Sequence, residues 1–294
     1  MKDLRELHYF LGIEVVMSTR SNSLLLTQTK YTLELLEKTN MLDCKPCSIP
    51  VTSGVRLSCH DSEPLTDPSE YRSIVGGLQY LTHTRPDITF AVNNASQFMH
   101  SPTYEHMMVV KRILRYLKSS LGSGITITSG DITQISGYSD SDWAGCPDTR
   151  RSTTGFCVFL GSTLVYWQSK KQSTVSKSSI EAEYKDVSTL AFEVMWLAAL
   201  LEELNIAVTT PHHLFCHNMG ARALAMNPIF HAHAKHIEMA YHYVRDLVNA
   251  TTVDVEFIAS SLQLADVLTK GLTYQALGNL RDKLMHFCQT PASV

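Results

Sequence analysis

Four short segments from near the middle of the chain onward carry the residues most able to do chemistry. They are Gly137-Tyr138-Ser139-Asp140-Ser141-Asp142-Trp143, Ser178-Ser179-Ile180-Glu181-Ala182-Glu183-Tyr184, Cys216-His217-Asn218 and Gln263-Leu264-Ala265-Asp266-Val267-Leu268-Thr269-Lys270. Carboxylate oxygens are the ligands that hard divalent cations such as Mg²⁺ take, whereas the imidazole of His217 suits zinc, copper or nickel. Asp142 and Glu183 read as solvated or structural neighbours of Asp140 and Glu181. Cys44 and Cys47 share the short spacing of a metal or redox pair, but no second pair stands nearby. The seven cysteines therefore read as reduced, mostly buried thiols. His212, His213, His231, His233, His236 and His242 look like a metal cluster by count and read as surface or core histidines. No Gly-Lys-Ser/Thr phosphate loop and no Gly-x-Ser-x-Gly elbow occurs, so nucleotide hydrolases and esterases have no support.

The elements that must position these residues follow from the spacing of apolar side chains. His8 to Val16 and Leu24 to Thr27 predict a hairpin across the polar Ser18 to Ser23 turn, followed by a short helix over Tyr31 to Lys38. Cys47 to Asp67, with its prolines and serines, reads as a linker or surface loop. Ser69 to Thr82, Pro86 to Met99 and Thr103 to Leu117 predict three helices, the second opened by its proline. Lys111, Arg112, Arg115 and Lys118 give the third a basic face that could lie along a nucleic-acid backbone.

After Gly122 and Gly124 the pattern turns to strands, at Ile132 to Asp140, Gly155 to Leu160 and Leu164 to Ser169. A long helix from Ser178 to Leu204 follows, then a strand at Leu214 to Cys216 and a short helix at Ala221 to Met226. Lys235 to Asn249 predicts another helix, Val253 to Ala259 a strand and Gln263 to Thr269 a last helix. Asp140 thus ends a strand, while Glu181 and Asp266 open helices.

Composition sets bounds on this reading. The 294 residues are 44% hydrophobic and 18% charged, enough for one or two domains with a real core. No apolar run is long enough for a bilayer and no secretory signal stands at the start, so an intracellular place, cytoplasmic or nuclear, is expected and no membrane partner. The formal charge of −3 means that any nucleic-acid binding must come from local basic patches, because phosphate affinity comes chiefly from Lys and Arg.

The stretch from Tyr138 to Leu272, carried by the segments above, resembles the ribonuclease H of copia-type retrotransposon polyproteins. Met1 to about Leu117 resembles the end of the reverse transcriptase of the same polyproteins. That part rests on Leu4-Arg5-Glu6-Leu7-His8-Tyr9-Phe10-Leu11-Gly12-Ile13-Glu14-Val15, on Tyr71-Arg72-Ser73-Ile74-Val75-Gly76-Gly77-Leu78-Gln79-Tyr80-Leu81 and on Thr84-Arg85-Pro86-Asp87-Ile88. The resemblance implies an α/β fold, a ribonuclease H-like mixed sheet flanked by helices, preceded by a mostly helical thumb or connection segment with a short β-hairpin. Its boundaries would be 1–130, 131–272 and a C-terminal tail at 273–294.

The resemblance also implies that Asp140, Glu181 and Asp266 are three of four carboxylates holding two Mg²⁺ ions, with Mn²⁺ as a substitute, for hydrolysis of the RNA strand of an RNA/DNA hybrid. His217 stands where the family's third aspartate is expected, which removes a hard oxygen ligand and a negative charge and implies an impaired site. Lys170, Lys171, Lys177 and Arg222, with Arg150, Arg151 and Lys235, are the implied contacts to hybrid phosphates. Ala232-His233-Ala234 and Ala240 are further departures from the family's pattern in a segment facing nucleic acid. No adjacent Asp-Asp pair occurs, so no polymerase activity is expected. The alternative is a non-catalytic remnant that at most binds nucleic acid or a polymerase partner, and missing upstream polyprotein domains are expected partners of either.

Overall fold

The computed structural model describes residues 7–18, 22–226 and 235–288, with Ser18 and residues 235–241 as backbone only. The block Leu4-Arg5-Glu6, His231, His233 and the Ala232-His233-Ala234 departure lie outside the described residues, as do the side chains of Lys235, His236 and Ala240. Packing divides the chain into two units, one from the described residues of 1–129 and 271–294, the other Gly130–Lys270.

The first unit begins with strands β1 (Tyr9–Phe10), β2 (Ile13–Ser18) and β3 (Ser23–Thr27). The expected hairpin is β2 with β3, in antiparallel register from Glu14↔Thr27 to Ser18↔Ser23. Helices α1 (Thr29–Lys38), α2 (Ser69–Leu81), α3 (Pro86–Ser96) and α4 (Tyr104–Ser119) follow, then strand β4 (Gly124–Thr128), which extends the sheet to the order β1-β2-β3-β4. The helical spacing of Tyr71, Ile74, Val75, Leu78 and Leu81 buries one side of α2, and Val110, Ile113, Leu114 and Leu117 do the same for α4. Thr103 and His106 form a capping box at the start of α4.

Two residues of the basic face of α4 are used internally. Arg115 Nε donates to the Lys45 carbonyl at 2.6 Å and Lys118 Nζ to the Cys44 carbonyl at 2.9 Å. Cys47 Sγ donates to the Arg112 and Ile49 carbonyls, so the Cys47 thiol and the Cys44 backbone carbonyl tie this segment to α4, and both cysteines are free thiols.

The second unit is a five-stranded mixed sheet. Strands β5 (Ile135–Ser141), β6 (Thr153–Leu160) and β7 (Thr163–Lys171) form an antiparallel meander; helix α5 (Ser179–Glu203) crosses the sheet. Strand β8 (His212–Cys216) then lies parallel to β5, and after α6 (Met219–Met226) and α7 (Lys235–Asn249) strand β9 (Val253–Phe257) lies parallel to β8. The spatial order is β7-β6-β5-β8-β9. Phe156, Val158, Tyr184, Val187, Leu190, Val194, Leu214, Val253 and Val255 make the core between α5 and the sheet. A Cβ at Gly137 would stand 2.6 Å from Leu190 Cδ1, so the glycine is what lets α5 lie close on β5.

Three expectations are corrected. The first strand starts at Ile135 rather than Ile132. The helix predicted over Gln263 to Thr269 is two 3₁₀ turns, Ser260–Leu262 and Leu264–Leu268. The segment 273–294 is not a tail throughout, for helix α8 (Tyr274–Leu284) buries Leu277, Leu280 and Leu284 at helical spacing in the first unit. Among the described residues no helix is long and apolar enough to cross a membrane.

Candidate metal centre

The parallel pairing of β5 with β8 sets Ser139 beside Cys216, which brings the next residues of both strands, Asp140 and His217, to one end of the sheet. His217 Nδ1 stands 3.2 Å from Asp140 Oδ1, and Nε2 stands 3.5 Å from Glu183 Oε1. One ligand atom from each of Asp140, Glu183 and His217 falls within 4.8 Å of the others. Asp140 and Glu183 are buried, while His217 is half-buried.

The second 3₁₀ turn supplies Asp266. Gln263 fixes that turn: its side-chain amide donates to the Ser139 carbonyl at 3.0 Å and its oxygen accepts from the Ala265 amide at 3.2 Å. Gly155, opposite Asp140 in the sheet, leaves room for this approach, since a Cβ there would lie 2.4 Å from Thr269 Cγ2. Thr269 Oγ1 donates to Asp140, and Lys270 Nζ lies 3.1 Å from Asp140 Oδ2 and 2.9 Å from Asp266 Oδ1.

This crowding is visible in the protonation equilibria. Burial, with Asp140 next, pushes the carboxyl groups of Glu183 and Asp266 above the ordinary carboxylate range. Burial works against the Lys270 charge, but Asp140 and Asp266 outweigh it and raise its affinity for the proton. Burial lowers that of His217 despite Asp140. Asp186, a turn beyond Glu183 and fully buried, is likewise pushed well up by burial; Thr154 and Gln172 donate to it.

The structure brings Asp140, Asp266 and His217 together and leaves Glu181 out. Glu181 sits in the first turn of α5, where its amide donates to the Ser178 side chain at 3.1 Å. Its carboxylate accepts from the Lys177 amide at 2.9 Å and pairs with Lys185 at 2.8 Å. It is a helix-start residue, and the acid that enters the site is Glu183. Two signals in the sequence distinguish them. Ser178-Ser179-Ile180-Glu181 is a capping pattern, and Glu183 shares the inward row of Val187, Leu190 and Val194. Asp142, as expected, is structural, its carboxylate accepting from the Thr153 amide.

The expected substrate contacts are spread out. Lys170 and Lys177 are exposed. Lys171 Nζ stands 2.7 Å from Cys146 Sγ. Arg222 Nε donates to the Val255 carbonyl at 3.0 Å, so its guanidinium is engaged with the edge strand β9. Arg150 and Arg151 are exposed in the loop after β5.

A divalent cation fits these donors. Glu183 Oε2 is buried without a hydrogen-bond partner among the described residues, His217 Nδ1 faces Asp140 Oδ1 without hydrogen-bonding geometry, and the carboxylates of Asp140 and Asp266 stand close by. Such unpaired buried polar atoms are costly unless a ligand or water satisfies them.

The chain is 46% identical over 284 residues to the retrovirus-related Pol polyprotein from transposon RE1 of Arabidopsis thaliana, and 44% identical to that from transposon RE2 of the same plant. Each match covers 97% of this chain and 19% of the relative. The chain belongs to the copia-type retrotransposon Pol polyproteins. It spans about a fifth of the length of those relatives. No protein-family model matches it. Among solved structures, the N-terminal RNase H domain of Rv2228c from Mycobacterium tuberculosis, fused to maltose-binding protein, covers 51% of this chain at 11% identity and a TM-score of 0.36. The order and directions of the five strands make the second unit of this Pol segment ribonuclease H-like.

Proposed function

We propose that the Gly130–Lys270 unit hydrolyses the RNA strand of RNA/DNA hybrids, at a rate held down by His217, and that the first unit is the end of the reverse transcriptase that precedes it. The observation that carries this reading is the gathering of Asp140, Glu183 and His217 near the carboxyl ends of two parallel strands, with Asp266 tied to Asp140 through Lys270. Asp140, Glu183 and Asp266 would hold two Mg²⁺ or Mn²⁺ ions. When bound, such ions activate water and stabilise the leaving oxygen of a phosphodiester. The chain's own part is to orient and neutralise. Thr269 and Lys270 fix the Asp140 carboxylate, and Lys270 also holds Asp266. Lys170 and Lys177, both exposed, supply charge for the hybrid's phosphates.

His217 weakens the site in two ways. An imidazole is a poor ligand for Mg²⁺ and suits softer ions. It also brings no negative charge to a site that must offset divalent ions. A second reading, binding without cleavage, is favoured by Lys270, whose ammonium already neutralises Asp140 and Asp266.

The test is incubation of the full chain with an end-labelled hybrid, duplex DNA and single-stranded RNA, in Mg²⁺ and in Mn²⁺. The expected outcome is slow cutting confined to the RNA of the hybrid, faster in Mn²⁺. Retention of the hybrid with no cutting in either ion supports the second reading, and equal cutting of the DNA strand contradicts the first.

A further inference from the structure

We propose that His213, Asp254 and Glu256 form a second divalent-cation site, of zinc-like preference, which ties the edge strand β9 to β8. The site follows from the sheet's register. His213 pairs with Asp254 and Phe215 with Glu256 in the parallel ladder, and alternate residues of a strand share a face. The opposite face carries Leu214, Val253 and Val255 into the core, so the three polar side chains stand together outside it. His213 Nδ1 is 2.6 Å from Glu256 Oε1, and one ligand atom from each of the three residues falls within 4.8 Å of the others.

All three side chains are half-buried, held by the ladder yet open to an ion from solvent. Two carboxylates stand near one imidazole here, of which Glu256 pairs with it, and the Asp254 carboxylate has no ion pair with a described residue. The cluster therefore carries more negative charge than its histidine can offset. The stacked rings of Tyr138 and Phe215, 4.9 Å apart, lie on the same face, with Phe215 stacked toward His213. They give the cluster an apolar flank.

One imidazole nitrogen and two carboxylate oxygens, with a position left for water, suit Zn²⁺ or Co²⁺ better than Mg²⁺. His213 precedes His217 by four residues, about 13 Å along an extended strand, so the two sites are separate.

The test uses the full chain with the first centre disabled by Asp140→Asn and Glu183→Gln. Co²⁺ is titrated while its visible absorption is recorded, and Zn²⁺ is followed by calorimetry and by the shift in Tm. The expected result is one bound equivalent, a Co²⁺ spectrum with a nitrogen ligand, and a Tm raised by Zn²⁺ but not by Mg²⁺. Adding His213→Ala should weaken binding at least about tenfold and abolish the Tm shift. Glu256→Gln, which keeps the side chain's shape, should do the same should His213→Ala fail to fold. No bound equivalent in the disabled background, or an affinity unchanged by both substitutions, overturns the proposal.

Discussion

Two residues along an α-helix is a rotation of about 200°, so Glu181 and Glu183 cannot share a task. Glu181 fastens the first turn of α5, and Glu183 points into the acidic cluster. Glu181→Gln should lower stability by about 0.5–1 kcal/mol, the worth of a helix-start interaction, and leave hybrid cleavage unchanged. Glu183→Gln should act the other way on stability. Burial and Asp140 raise the Glu183 carboxyl above its unfolded value, so its ionised form opposes folding at neutral pH, and removing that charge should raise Tm in EDTA. Melting curves of both variants check this, and a lower Tm for Glu183→Gln in EDTA would be the wrong sign. Asp140, His217 and Asp266, which the fold brings together, were marked in the sequence by the motifs around them. Glu183 was not, because a motif with two acids does not say which one faces inward. Helical phase does, and Thr269 and Lys270 depend on a 3₁₀ turn whose approach to β5 only Gly155 and Gln263 reveal.

At the scale of elements, the first unit turns on a buried polar centre between α3 and α4. Burial alone would raise the Asp87 carboxyl, but two hydrogen bonds from Arg85, at 2.9 and 2.8 Å, and one from the Tyr116 hydroxyl at 2.6 Å outweigh it and hold it below the ordinary range. Arg85 also donates to Ser120 at the end of α4. A carboxyl whose folded value is depressed contributes stability above its unfolded value, near pH 4, and loses it as pH falls toward the folded one. Urea unfolding between pH 7 and pH 3 should therefore show a decline that Asp87→Asn lacks, starting from a stability already lower by about 3–5 kcal/mol because Arg85 is left unpaired. Equal pH slopes would contradict this. The helices themselves were legible, since Tyr71 to Leu81 and Val110 to Leu117 keep a clean 3.6-residue period. Strand β4, five residues bounded by turns, and the 3₁₀ turns were too short for periodicity to register.

For the whole molecule, the ribonuclease H-like order of strands and helices was readable from the sequence, while the return of α8 to the first unit was not, because a helix's amphipathic face does not name its partner. Net charge sets another expectation. With −3 overall, hybrid binding must rest on few cations, so Lys170→Ala with Lys177→Ala should reduce the slope of log affinity against log salt by about two. Arg222→Ala, whose guanidinium holds β9, should change stability more than that slope; filter binding from low to moderate salt decides the matter. The most direct test of the account as a whole is RNA-strand cleavage in Mg²⁺ by His217→Asp, alone and combined with Glu183→Gln or Glu181→Gln. The account predicts that His217→Asp speeds cleavage by at least about tenfold, as a directly coordinating ligand should outweigh an outer-sphere one, that Glu183→Gln removes the gain and that Glu181→Gln keeps it. A folded His217→Asp protein with no gain, or a gain that Glu181→Gln removes and Glu183→Gln keeps, would contradict it.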